Sequence, residues 1–109
     1  MQKTSLTALA RTELQNASRA PSGRSAKTIY GGHEHRLRQT LIALRAGRSL
    51  GDHENPGEAT LQVVSGRIVL RSGDDSWSGW NGDLIVMPPG VHSVEALEDS
   101  VVLLTVVKL

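Results

Sequence analysis

A series of short apolar segments separated by turns occupies most of the chain after residue 36. The segments are rich in Leu, Val and Ile, and they cover 37–45, 60–64, 67–71, 84–87, 91–97 and 101–107. Gly, Asn, Asp and Ser lie between them, at 72–76 and 81–82 for example, and these residues are typical of hairpin turns. Short strands at intervals of roughly ten residues favour a closed all-β sandwich or barrel.

The N-terminal part of the chain predicts a helix over residues 5–20. Its apolar residues recur mostly at spacings of three and four and form one narrow stripe: Leu6, Leu9, Ala10, Leu14 and Ala17. Thr4 or Ser5 can cap its start, and Pro21 follows its end. A narrow stripe stabilises a helix only when the helix is docked on another element. We divide the chain into a helical arm, 1–28, and a barrel, 29–109.

Length and composition limit the classes of protein to which this chain can belong. The chain has 109 residues, so it predicts one domain with one core, and without Phe that core must be built from Leu, Val, Ile and Ala. It has no Cys, which excludes disulfides and thiol chemistry and is compatible with the cytoplasm. No run approaches the roughly 18 apolar residues of a membrane helix, and the N-terminus lacks a signal peptide's apolar core. We expect a cytoplasmic protein without a membrane partner.

Charge is distributed unevenly although the net charge is only +1. Residues 1–48 carry nine basic residues against two acidic ones, a balance of +7, and residues 49–109 carry three against nine, a balance of −6. One interpretation is a basic arm for an anionic partner. The other is an arm that packs on an acidic body, its own or that of a partner subunit. The basic residues are scattered singly, so we do not expect nucleic-acid binding.

Two glycine-bounded units each carry one histidine, and the first resembles the first motif of the cupin superfamily. That motif runs glycine, five residues, His-x-His, three or four residues, glutamate, six residues, glycine. Gly47, His53 and Gly66 fit it. The second histidine position holds Asn55, and the glutamate position holds Ala59.

The second unit resembles the second cupin motif, which runs glycine, five residues, Pro-x-Gly, two residues, histidine, three residues, asparagine. Gly82, Pro88 and Gly90 fit in register, whereas His92 comes one residue early and Ala96 stands at the asparagine position. The resemblance covers about residues 36–109. It implies an all-β double-stranded β-helix, the jelly-roll barrel of cupins, here with an N-terminal helix.

The resemblance also implies a metal site that this chain has partly lost. In cupins with full motifs, three histidines and a glutamate hold a divalent transition metal such as Fe, Mn, Ni or Zn. This chain keeps His53 and His92, the candidate metal ligands, while Asn55 offers only a weaker amide oxygen. Glu58 cannot replace the glutamate that Ala59 has displaced, because neighbouring side chains of a strand alternate between faces; only a bulge near 56–57 would change this.

Three functions remain open, and no catalytic residue can be assigned. The first is a small-molecule binder with a sensory or regulatory role, in which His53, Asn55 and His92 contact the ligand. The second is a metal-dependent cupin enzyme of the dioxygenase or isomerase type. The third is an accessory domain whose basic arm contacts a partner. Small cupins commonly form homodimers, and the apolar outer faces of 37–45 and 101–107 agree with that.

Two further groups carry weaker signals. His33 and His35 share one face of an extended segment and could bind a metal, but they follow a Gly-Gly turn and are better interpreted as a solvated loop. Trp77 and Trp80 are three residues apart, so we expect them on opposite faces of a strand, with at most one facing the barrel interior.

Overall fold

The computed structural model describes residues 1–54 and 57–108, and at residues 52 and 53 the backbone alone. One helix, α1, precedes the strands of the described chain. Their bounds are α1 Leu6–Arg19, β1 Arg24–Tyr30, β2 Leu37–Leu44, β3 Ser49–Glu54, β4 Ala59–Ser65, β5 Arg67–Ser72, β6 Asp75–Trp80, β7 Leu84–Val86, β8 Val91–Ala96 and β9 Ser100–Val107.

The strands form two antiparallel sheets that face each other. Sheet A has the order β1-β2-β9-β4-β7, and sheet B has the order β3-β8-β5-β6. Apolar side chains from both inner faces make the main core, which includes Ile42, Leu44, Leu61, Val63, Ile68, Leu70, Val94, Val102 and Val106. The predicted all-β jelly-roll barrel is confirmed.

Strands β2 and β9 of sheet A carry apolar residues on both faces, and each face is covered. On β9, Val102 and Val106 lie in the main core, whereas Val101 and Leu103 lie in a second cluster under α1. Strand β2 alternates in the same way, with Leu41 in the second cluster. The outer face of both strands is therefore covered by the chain's own helix.

Helix α1 is fixed to sheet A by apolar contacts and by one buried carboxylate. Ser5 caps the helix, with its Oγ accepting the N–H of Ala8 at 3.2 Å. Glu13 is only 5% exposed. Its carboxylate accepts the hydroxyl of Ser25 on β1 at 2.6 Å and the amide of Asn16 at 3.2 Å, and these bonds offset the cost of burying it.

The basic residues of the first 48 positions take no part in this docking. Within the described side chains, the ion pair that involves an arginine or lysine is Arg71 with Glu95, at 2.6 Å on sheet B. The arm thus packs on its own barrel, as one interpretation expected, but through apolar contacts and Glu13. Its basic side chains remain on the surface.

Two elements differ from the sequence-based expectation. Strand β3 was not predicted, and β1 begins at Arg24, inside the segment assigned to the helical arm. Strand β1 consequently runs across the boundary placed between residues 28 and 29. No helix in the described part of the chain is long and apolar enough to cross a membrane.

Candidate functional site

The two motif histidines come together on neighbouring strands of sheet B. Strands β3 and β8 are antiparallel, and their register pairs His53 with His92 and Leu50 with Val94. The pairing is irregular between positions 50 and 53, as at a β-bulge. The backbone therefore brings the two predicted positions side by side, although the side chain of His53 lies outside the described part of the structure.

His92 lies in the apolar interior of the barrel. It alternates along β8 with exposed or partly exposed residues, so that His92, Val94 and Ala96 all point inward. His92 is 1% exposed, and its Nδ1 lies 3.2 Å from the carbonyl oxygen of Gly90. Because a carbonyl only accepts, Nδ1 is the donor in this contact. A neutral ring of that tautomer presents Nε2 as an acceptor, a base or a metal ligand.

Strand β4 supplies no carboxylate to the interior. Ala59, at the glutamate position of the first motif, is 7% exposed and belongs to the main core, whereas Glu58 is exposed. The β4–β9 register is regular from Ala59 to Val63, and its irregularity lies between Val63 and Ser65. The prediction that Glu58 cannot take the place of the lost glutamate is confirmed.

Among the residues that the structure describes, the predicted set of metal ligands is incomplete. Asn55 lies outside the described residues. Elsewhere in the described chain, no group of three or more His, Cys, Asp or Glu residues is arranged to hold a metal ion. The described interior thus offers one imidazole, from His92, in an apolar barrel. A complete cupin metal set does not fit these residues.

Met87 was missed by sequence reasoning and lies beside Ala59. It is 9% exposed and packs in the main core. Its N–H donates to the carbonyl of Ala59 at 3.0 Å. The signal in the sequence was its position at the end of the apolar segment 84–87, directly before Pro88. Met87 therefore helps to fill the interior next to the position where a metal-binding glutamate would stand.

The histidine pair near the Gly-Gly turn forms a surface cluster. The ring of His35 stacks on that of Tyr30, with centroids 5.2 Å apart and an interplanar angle of 17°. Its Nε2 lies 3.6 Å from a carboxylate oxygen of Glu34, and both side chains are substantially exposed. His33 is exposed as well. These contacts agree with the solvated loop that we expected.

Trp77 and Trp80 lie on opposite faces of β6, as predicted. Trp77 pairs with Leu70, a core residue, and Trp80 pairs with Arg67 on the outer face. The guanidinium of Arg67 lies 4.7 Å from the centre of the Trp80 ring, a cation–π contact. Both tryptophans are on an edge strand and are 40% and 48% exposed. They do not form an aromatic wall deep in the barrel.

Solved structures resemble this chain, whereas no family model and no curated protein matches it. A conserved protein of unknown function, SPY1581 from Streptococcus pyogenes, is 28% identical over 83% of this chain and 78% of its own, with a TM-score of 0.72. A cupin superfamily protein from Desulfitobacterium hafniense is 15% identical over 79% and 78% of the two chains, with a TM-score of 0.73.

A larger protein contains a similar unit. Salicylate 1,2-dioxygenase from Pseudoaminobacter salicylatoxidans, as a mutant in complex with gentisate, is 19% identical, with a TM-score of 0.75. The match covers 91% of this chain but only 32% of the dioxygenase. The two facing sheets, the paired motif positions and these likenesses agree on one architecture: the chain is a small cupin-fold domain with its N-terminal helix packed on the outside of the barrel.

Proposed function

We propose that this chain binds a small organic molecule inside the barrel, at the positions of His53, Asn55 and His92, in a sensory or regulatory role. The observation that carries the proposal is Ala59, which lies in the core where the cupin pattern has a metal-binding glutamate. A barrel that keeps a buried imidazole but lacks that carboxylate is better suited to a neutral or weakly polar ligand than to a tightly held metal.

The chemistry of such a site follows from its few polar groups. Apolar core side chains would contact the body of the ligand, and His92 would fix its orientation by a single hydrogen bond. A buried polar group discriminates strongly between a ligand that can pair with it and one that cannot. No catalytic residue is assigned.

Fragment screening by protein-detected NMR, which follows the backbone amide signals, tests this proposal. We expect fragments that shift the backbone amides of residues 53, 92 and 94, and that bind His92→Gln at least about tenfold more weakly. His33→Gln, a histidine substitution on the exposed turn, should leave their affinity unchanged. If every fragment that binds maps to the outer surface, or binds His92→Gln equally well, the barrel interior is not the binding site.

The alternative is a metal-dependent cupin enzyme of the dioxygenase or isomerase type. Its specific support is the likeness to salicylate 1,2-dioxygenase together with the buried imidazole of His92. Iron, manganese, nickel or zinc would be held by His53 and His92. Fold likeness alone does not carry an activity across, and the described residues leave a transition metal short of ligands.

We also propose that the chain is a homodimer. The face expected for it needs correction, because α1 covers Leu41 and Leu103 within 37–45 and 101–107. The uncovered part of the outer face, here called the outer patch, is Leu37, Leu84, Val86 and Val107, which are 38–76% exposed. It adjoins a groove of about 410 Å³ and the free edge of β7, and exposed edges and apolar patches favour self-association about a twofold axis.

Light scattering checks the dimer. At micromolar concentration the mass should be twice 11.7 kDa, and Val86→Glu should halve it because a charge in the outer patch opposes its burial. Val91→Glu, at a residue 52% exposed outside the patch, serves as the control and should stay dimeric. A monomeric parent protein would refute the proposal.

The cytoplasmic location also stays a prediction.

A further inference from the structure

We propose a second binding site, for a small amphipathic anion, in the groove where the two sheets separate at the β1 and β3 edges. These strands end sheet A and sheet B respectively. The head group would bind Arg24 and Arg48, and the apolar part would enter between the sheets. This site is separate from the position of His92 and does not depend on the function proposed above.

The floor of the groove is apolar. Ala26 on β1 pairs with Ile42 of the main core, and Leu50 on β3 pairs with Val94 and packs against the same core. Together with parts of 22–25 they line a groove of about 320 Å³. The groove therefore leads from the surface to the apolar core at the edge of the barrel.

Arg24 lies at one side of the opening of the groove. Its register partner is Leu44, a core residue, so its side chain starts from the inner face of β1. Its Nη1 donates to the carbonyl oxygen of Ser49 at 3.4 Å. The Arg24 side chain thus reaches from β1 in sheet A to β3 at the edge of sheet B.

Arg48 lines the same groove and packs against Gly23, the residue that precedes Arg24. A Cβ added at Gly23, whose φ is +70°, would lie 2.7 Å from Arg48 Cγ and 2.8 Å from its Nε. The absence of a side chain at Gly23 is what lets the arginine pack there. Both arginines line one groove of about 480 Å³, together with Ser22, Gly47, Ser49 and Gly51.

The two guanidinium groups have no counter-charge in the described residues. Neither arginine is within ion-pair distance of a described carboxylate, and the lining residues that the structure describes include no acidic one. The carboxylate of Asp99 accepts the N–H of Ala46 in the neighbouring turn at 2.8 Å. Two exposed positive charges that line one groove attract an anion.

The chemistry of the lining selects the ligand class. Guanidinium groups recognise carboxylate and phosphate through paired N–H donors, and the apolar floor accepts a hydrocarbon or ring. Grooves of 320 and 480 Å³ are within the range of small-molecule sites, about 300–1,000 Å³. A ligand with one anionic head and a short apolar body would contact both the arginines and the apolar floor. A bare anion would contact only the arginines.

Calorimetric titration with defined probes tests the site. Octanoate and octyl phosphate should bind saturably, one per chain, and 1-octanol and inorganic phosphate should each bind at least about tenfold more weakly, because each lacks one half of the interaction. The tighter of the two anions identifies the head group as carboxylate or phosphate. Absence of saturable binding of both would overturn the proposal.

Matched variants locate the binding. Arg24→Gln with Arg48→Gln should weaken both anions at least about tenfold, with circular dichroism and thermal melting showing that the variant is folded. Arg11→Gln, an exposed arginine on α1, should bind like the parent, and so should His92→Gln. Equal affinity in the double variant and Arg11→Gln refutes the arginine site. Loss of binding in His92→Gln would place the ligand in the barrel and overturn the separate groove.

Discussion

Replacing Asn55 with His and Ala59 with Glu together should raise the affinity for nickel at least about tenfold, or roughly 1.4 kcal/mol. The first change restores the second imidazole of the motif. The second places a carboxylate at an interior position of β4, since Ala59 is buried in the main core. With His53 and His92, whose backbones are paired, the chain would have three nitrogen ligands and one oxygen ligand.

Thermal melts with and without nickel measure this gain. Without metal, the double variant should be less stable than the parent because a carboxylate is buried without a partner. Nickel should restore stability by binding only the folded state. Asn55→His with Thr60→Glu is the control, because Thr60 lies in the outward groove beside Val86. If nickel raises the Tm of the double variant no more than that of the parent or control, the inferred site geometry is wrong.

Gly66→Ala should cost about 3 kcal/mol or more of unfolding free energy and lower the Tm by about 10 °C or more. Gly66 has φ +98°, and an added Cβ would clash with Ser100 Oγ and lie 2.6 Å from the carbonyl oxygen of Asp99. Ser100 cannot move aside easily, because it is fully buried and its hydroxyl contacts the backbone of Arg67 and Glu98.

Gly73→Ala measures the cost of a positive φ without the close contact that Ser100 makes at position 66. Gly73 has φ +59° in the hairpin between β5 and β6, and an added Cβ would meet nothing within 4 Å. This control should cost only about 1 kcal/mol, the cost of a positive φ for alanine. Chemical denaturation of the two variants gives both values. A similar loss in both would mean that the approach of Ser100 is not what requires glycine at 66.

Local patterns predicted most of the fold. The apolar stripe and the Ser5 cap identified α1, and turn residues located strands such as β5 and β9 within one or two residues. Strand β3 was missed because its segment, Ser49–Glu54, holds a single large apolar residue, Leu50. It forms a strand through pairing with β8, about 40 residues away in the chain, and such a contact leaves no periodic signal in a local window.

Strand alternation was enough to predict part of the site. It indicated that Glu58 points away from the face that Ala59 occupies. The family resemblance identified positions 53 and 92, and the structure pairs them on neighbouring strands. The Arg24–Arg48 groove could not be predicted in the same way. Its two arginines meet only because the turn before β1 folds against the β2–β3 turn, where the N–H of Arg45 donates to the carbonyl of Gly23 at 2.9 Å.

Metal analysis tests the central claim, that the barrel keeps a buried histidine but no complete metal site. The protein, purified without added metal and without a chelator, is analysed by inductively coupled plasma mass spectrometry alongside the Asn55→His, Ala59→Glu variant prepared in the same way. The parent should contain far less than one transition-metal ion per chain, and the variant should contain clearly more. A near-stoichiometric content of iron, manganese, nickel or zinc in the parent would contradict the account and favour the metal-dependent enzyme.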